Sequence, residues 1–168
     1  MKRYLTILAS AAALCIPAAA LAADATPNAS QLALQSCKTQ QATLAPSVFK
    51  ATYPTFGKCV SKAMHSAQSA IQNAAEQCKA ESTDANFAAT HNGSTFAQVY
   101  GNAKGKNADA NAMGKCVSTK AHAANDARTQ AVVNAAKFCK NARTANAASF
   151  ATTYGSFGAC VSQKTKSA

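Results

Sequence analysis

The chain has 168 residues, with 17 Lys and Arg against 6 Asp and Glu, a formal charge of +11 at pH 7, and seven cysteines. It has no tryptophan and its apolar fraction is mostly alanine, which excludes a thick core: small side chains remove little area from water, at about 25 cal/mol per Å². The carboxylates Asp24, Glu76, Glu81, Asp84, Asp109 and Asp126 are scattered, so glycoside hydrolysis would need a pair assembled across separate segments.

The N-terminus reads as an export signal. Lys2 and Arg3 form a charged start, Leu5 to Ala22 is uncharged and mostly apolar, and Ala20-Leu21-Ala22 offers small residues where a signal peptidase inspects. Cleavage is expected after Ala22, making residues 1–22 a signal peptide and 23–29 a short tail. The rival is a retained anchor, but the alanines around Pro17 make the run weakly apolar with a helix-breaking end. Bulky Leu14 argues against a lipid anchor on Cys15. Cleavage would remove Cys15 and two cations, leaving six cysteines and a charge of 15 minus 6, or +9. No integral membrane segment would then remain. An even cysteine count in an exported chain points to disulfides, and the expected location is secreted, periplasmic or cell-envelope.

The rest of the chain repeats one pattern three times. Cys37-Lys38, Cys78-Lys79 and Cys139-Lys140 each precede an aromatic pair four residues apart: Phe49 and Tyr53, Phe96 and Tyr100, Phe150 and Tyr154. Each copy closes on an aromatic or Met, a Gly and a Cys-Val-Ser, with cysteines at 59, 116 and 160. Repetition of this kind sets the architecture. Of the fifteen pairings six cysteines allow, it selects Cys37–Cys59, Cys78–Cys116 and Cys139–Cys160. Loops of this length contribute about 3–4 kcal/mol each on the chain-entropy treatment.

Between the copies the pattern is helical. Val60, Met64, Ala67, Ile71, Ala74 and Cys78 fall in steps of three and four, as do Val117, Ala121, Ala124, Ala127, Ala131, Ala135 and Cys139. The second span is four residues longer, about one turn, so its stripe survives. The spacing predicts long helices over 59–80 and 114–141 and half-helices over about 30–41 and 160–166. Each bridge would tie the end of one helix to the start of the next, with a Cys-Lys lysine near the negative end of the dipole. The loops 37–59, 78–116 and 139–160 should each hold a short helical turn, capped by Ser47, Ser94 or Ser149 and ended by Pro54, Gly101 or Gly155. The polar stretch from Gly101 to Ala112 should be the most mobile. The fold class expected is all-α: disulfide-braced antiparallel helical hairpins, a small bundle or array built from three repeats, in a single domain over 30–168.

Several residues invite a functional reading. Phe49, Tyr53, Phe96, Tyr100, Phe150 and Tyr154 could form an aromatic contact surface that stacks sugars or bases. A plug filling each closed loop is the preferred alternative, because these are the largest residues a thin core has. His65 and His122 occupy equivalent helical positions and could face one another across a metal. The third copy has Lys166 there, which favours a solvated basic position. Asn107, Asp109 and Asn111 resemble a calcium loop only faintly, without the closing Glu and among lysines. The sequons at Asn28 and Asn92 matter only in a glycosylating host. No nucleophile elbow, zincin motif, phosphate-binding loop or Cys-x-x-Cys is present. The expectation is a non-enzyme with no cofactor and no metal.

The copies resemble a cysteine-paired repeat that recurs in predicted secreted bacterial proteins, with a core like Phe-x-x-x-Tyr-Gly, a polar stretch, then Phe-Gly-Lys-Cys-Val-Ser. Copy two keeps the polar stretch with Met113 in place of Phe, and copy one has Pro54 in place of Gly. The resemblance implies export, disulfides and repetition, and carries no activity. The function expected is a non-catalytic envelope or extracellular protein with a structural or binding role. Its +9 charge makes an electrostatic binder of an anionic polymer or surface, nucleic acid or acidic wall polymer, the alternative. A membrane-active effector is the second alternative, against which the alanine-rich stripes argue.

Overall fold

A computed structural model describes residues 27–101 and 111–166. The export signal, Cys15, Asn107, Asp109 and most of the Gly101–Ala112 stretch lie outside these residues. Among the described residues there are eight helices and no strand. They are α1 (Ala29–Thr43), α2 (Pro46–Thr52), α3 (Phe56–Thr83), α4 (Phe87–Thr90), α5 (Phe96–Tyr100), α6 (Ala112–Ala145), α7 (Ala147–Tyr154) and α8 (Phe157–Lys166).

The long helices α3 and α6 pack on each other, α1 packs on both, and α8 lies on α6. Cys37 near the end of α1 bonds Cys59 near the start of α3, while Leu32, further back on α1, shares a core with Ala67 and Ala74, further along α3. Those two relations make α1 and α3 antiparallel. Cys139–Cys160 joins α6 to α8 and Cys78–Cys116 joins α3 to α6. These are the pairs that the sequence repetition selects. Their Cα separations are 5.9, 5.9 and 6.1 Å, within the ordinary range for disulfides.

The helices outrun their expected bounds. α1, α3 and α6 continue past Cys-Lys to Thr43, Thr83 and Ala145, so Lys38, Lys79 and Lys140 stand before the last turn. α1 and α3 have no basic residue in that turn, and α6 has Arg143. The expected dipole role of the three lysines is therefore corrected. The expected serine caps are corrected too. α2 starts with Pro46 at N1, where a missing N–H costs nothing. α5 is opened by Thr95, whose side chain accepts from Gln98 N while Gln98 Oε1 accepts from Thr95 N. Asn146 ends α6 and opens α7, its Oδ1 accepting from Ser149 N at 2.9 Å. Of the expected terminators, Gly101 caps the end of α5, α2 stops at Thr52 with Tyr53 as its cap just before Pro54, and Gly155 ends α7 at φ +68°, a conformation that strains any residue with a Cβ.

Two apolar clusters hold the helices. One gathers the first and third bridges with Leu44, Val48, Phe49, Tyr53, Val133, Phe150, Phe157 and Val161. The other surrounds Cys78–Cys116 with Leu32, Ala67, Ala74, Val117 and Ala121. The largest fully enclosed side chains are Leu32, Val133, Val161 and the six bonded cysteines. The disulfides thus fill the core as well as cross-link it, which compensates for the small alanines around them.

Candidate functional site

Between the two clusters the core turns polar. On α6, Ala121 belongs to one cluster and Val133 to the other, and the buried residues between them are Asn125 and Thr129. This corrects the stripe expected on that helix: Ala124 and Ala127 are exposed, whereas Val117, Ala121, Ala135 and Cys139 are buried. Facing Asn125 and Thr129 are Ser36 and Gln40 of α1, also buried.

These groups form one directional chain of hydrogen bonds. The Tyr53 hydroxyl donates to Gln40 Oε1 at 2.9 Å. Gln40 Nε2 donates to Ser36 Oγ at 3.0 Å, and Ser36 Oγ lies 2.7 Å from Thr129 Oγ1. Thr129 spends its only proton on the Asn125 backbone carbonyl at 2.8 Å, so Ser36 is the donor to Thr129. Each hydroxyl in the chain has an acceptor for its proton, and one such bond satisfies Gln40 Nε2, which helps a buried polar layer to be tolerated. The Asn125 side chain stands apart from it. Its residue is 6% exposed and its Nδ2 is buried without a hydrogen-bond partner.

Asn125 and Arg128 form the shared wall of two adjoining spaces. The inner one is a cavity of about 40 Å³ reaching Gln40, Tyr53 and Lys62. The outer one is an open groove of about 440 Å³ between α3 and α6, lined by His65, Ser66, Ser69 and Asn73 opposite Asn125 and Arg128. Among the described residues no carboxylate lines either space. Lys62 is anchored at the inner edge, donating to Ser162 Oγ at 2.9 Å and lying 5.9 Å from the centre of the Tyr53 ring. Burial raises the Tyr53 hydroxyl above its ordinary pKa of 10.0, with the charge of Arg128 and the Gln40 bond pulling the other way.

The aromatic residues divide unevenly. Phe49, Tyr53 and Phe150 are buried at 7%, 6% and 6% exposure, which corrects the contact-surface reading for those three: they fill the first apolar cluster. Tyr154, half-buried, packs against the same cluster. Phe96 and Tyr100 are half-buried beside the second cluster. They join Phe87 and His91, which the repeat spacing did not reveal because neither has a counterpart in the other copies. Phe87 is buried, His91 stacks on it at 3.8 Å, and Phe96 meets its edge at 5.6 Å. Tyr100 donates to Glu81 Oε2 at 3.2 Å. Burial and the Glu81 charge raise its pKa. Glu81 also pairs with Lys120 at 2.9 Å, and that hydrogen bond raises the lysine's pKa above 10.5.

His65 is exposed along the groove, His122 is half-buried on α6, and no group of three or more His, Cys, Asp or Glu suited to a metal occurs among the described residues. Asn111 caps α6 without a side-chain bond. The six bonded cysteines are at most 1% exposed, and three buried disulfides fit an oxidising compartment. No helix among the described residues is long and apolar enough to cross a membrane. Hydropathy and cysteine spacing exposed the bridges. The polar layer and groove had no such signal, since Ser36, Gln40, Asn125 and Thr129 are residue types that ordinarily face water. Compared with family models, curated proteins and solved structures, the chain matches none.

Proposed function

We propose that the protein is an exported, non-catalytic binding protein of the envelope or extracellular space, and that its partner is an anionic polymer or surface. The observation that carries this reading is the cation excess itself: 17 Lys and Arg against 6 Asp and Glu in the chain, and 15 against 6 once the expected signal with Lys2 and Arg3 is removed. Disulfides buried inside the bundle hold the helices that display these cations, so little ordering would accompany association. Uncompensated positive charge of this size attracts polyanions at long range and releases their counterions on contact. The charged start and apolar run ending at Ala22 support export.

The test is binding of the oxidised protein to nucleic acid and to acidic wall polymer over a salt series. Tight binding at low salt that falls steeply as salt rises is expected. Absence of binding at low salt overturns the proposal.

A further inference from the structure

We propose that the groove between α3 and α6 is a specific site for a single phosphate group, with Asn125 and Arg128 as its principal donors. The inference rests on the polyanion reading and deepens it by naming where one anionic group would be held.

The argument begins with Asn125. Its amide Nδ2 is buried with no partner, although the neighbouring hydroxyls and amide of the layer are bonded in sequence. A buried unpaired donor costs about 1–3 kcal/mol, so such a group marks a place where an external acceptor would be stabilising. The position lies on the wall common to the cavity and the groove. Arg128, one turn further along α6, shares that wall, with no carboxylate among the described residues lining either space. Its guanidinium is an always-charged planar fork whose geometry matches phosphate oxygens. Across the groove, Ser66 of α3 presents a hydroxyl, while the Ser69 hydroxyl donates to the His65 carbonyl at 3.0 Å, and Lys62 adds charge at the inner edge.

The dimensions suit a small anionic group. The inner cavity of about 40 Å³ has room for the oxygens of such a group. The outer groove of about 440 Å³ is open enough for the rest of a phosphate ester to lead away into solvent. The same chemistry serves a free phosphate and a phosphate within a polymer.

Inorganic phosphate is titrated into the oxidised full chain while the Asn125 side-chain amide is followed by nitrogen–proton NMR. A short-chain polyphosphate titration follows, and the controls are Arg128→Gln and Lys140→Gln. Saturable movement of the Asn125 amide is expected, with affinity lowered about tenfold or more in Arg128→Gln and within about twofold of the parent in Lys140→Gln. Asn125→Asp, followed through the backbone amides of Ser66, Ser69 and Arg128, keeps the shape of the side chain but replaces the donor by a carboxylate, and should abolish saturation while the amide spectrum stays dispersed. Saturation by polyphosphate alone would assign the site to a polymer's phosphate, and saturation by both to the free anion as well. Linear, non-saturating shifts with both probes, or equal losses in the Arg128 and Lys140 variants, would overturn the site. Should nucleic acid and wall polymer still bind in that event, the polyanion reading stands without it. Should phosphate saturate while neither of those polymers binds at low salt, the site stands and the polyanion reading falls.

Discussion

Ser36 and Thr129, separated by 93 positions in the chain, place their hydroxyls 2.7 Å apart inside the bundle. The contact joins α1 to α6 at the level where the two apolar clusters meet. Ser36→Ala strands Gln40 Nε2, and Thr129→Val strands the Ser36 proton. Each should lower stability by about 1–3 kcal/mol in urea unfolding. The double variant should lose clearly less than the sum of the two, because the second change removes a group the first has already orphaned. Strict additivity would mean that the hydroxyls do not interact.

The bridges should be unequal in their coupling, though similar in their individual weight. Replacing any bonded cysteine pair by alanines should cost about 3–4 kcal/mol on loop entropy, with more for the cavity left in a fully enclosed site. Cys37–Cys59 and Cys139–Cys160 belong to one apolar cluster, and Cys78–Cys116 to the other. Losses should therefore be non-additive for the first two bridges and nearly additive when either is combined with the third. Chemical denaturation of the single and paired deletions measures this, and a strong coupling to Cys78–Cys116 would contradict it.

Burial separates the aromatic residues by consequence. Phe150→Ala and Phe87→Ala, both at enclosed sites, should each cost about 3–5 kcal/mol. Phe138 is 47% exposed, with the Lys164 ammonium 4.7 Å from its ring centre. Its replacement by Ala should change stability by no more than about 1 kcal/mol. Thermal melts of the three variants decide it; a large loss at Phe138 would reveal a role that its exposure hides.

Alkaline stability should depend on Tyr53. Burial raises its pKa above 10.0 in the fold, so above that pH the unfolded chain's tyrosine ionises while Tyr53 keeps its proton. The folded state then binds more protons, and stability falls as pH rises toward the folded pKa. Lys120, raised above 10.5 by its bond to Glu81, adds a loss of the same sign as pH climbs through its folded value. Tyr53→Phe should start less stable at neutral pH, having lost the bond to Gln40, and should converge on the parent above about pH 10. Melting curves that stay parallel throughout would refute this.

Much of the scaffold could be read before any tertiary information. The three-and-four spacing from Val60 to Cys78 located α3, and the recurrence of Cys-Lys and Cys-Val-Ser selected the bridges, because helix periodicity and repetition are properties of the chain itself. The short helices α2, α5 and α7 were likewise legible from their aromatic pairs, whereas α4, which carries no such pair, was not. Nor were the caps of α2, α5 and α7. Ser47, Ser94 and Ser149 are good capping types, but Pro46, Thr95 with Gln98, and Asn146 take the positions the backbone offers.

The middle of α6 is where local pattern and tertiary packing part. By itself the sequence determined an all-helical chain cross-linked at three recurrent positions and bearing a large excess of cations. Only the packing of α1 against α3 and α6 decided that Asn125 and Thr129 turn inward while Ala124 and Ala127 face water, and that Tyr53 is core rather than contact surface. The physical reason is that a polar residue's burial depends on the partner it finds. Ser36 reaches Thr129 across 93 positions of sequence, and no periodicity along one helix encodes what another helix brings to it.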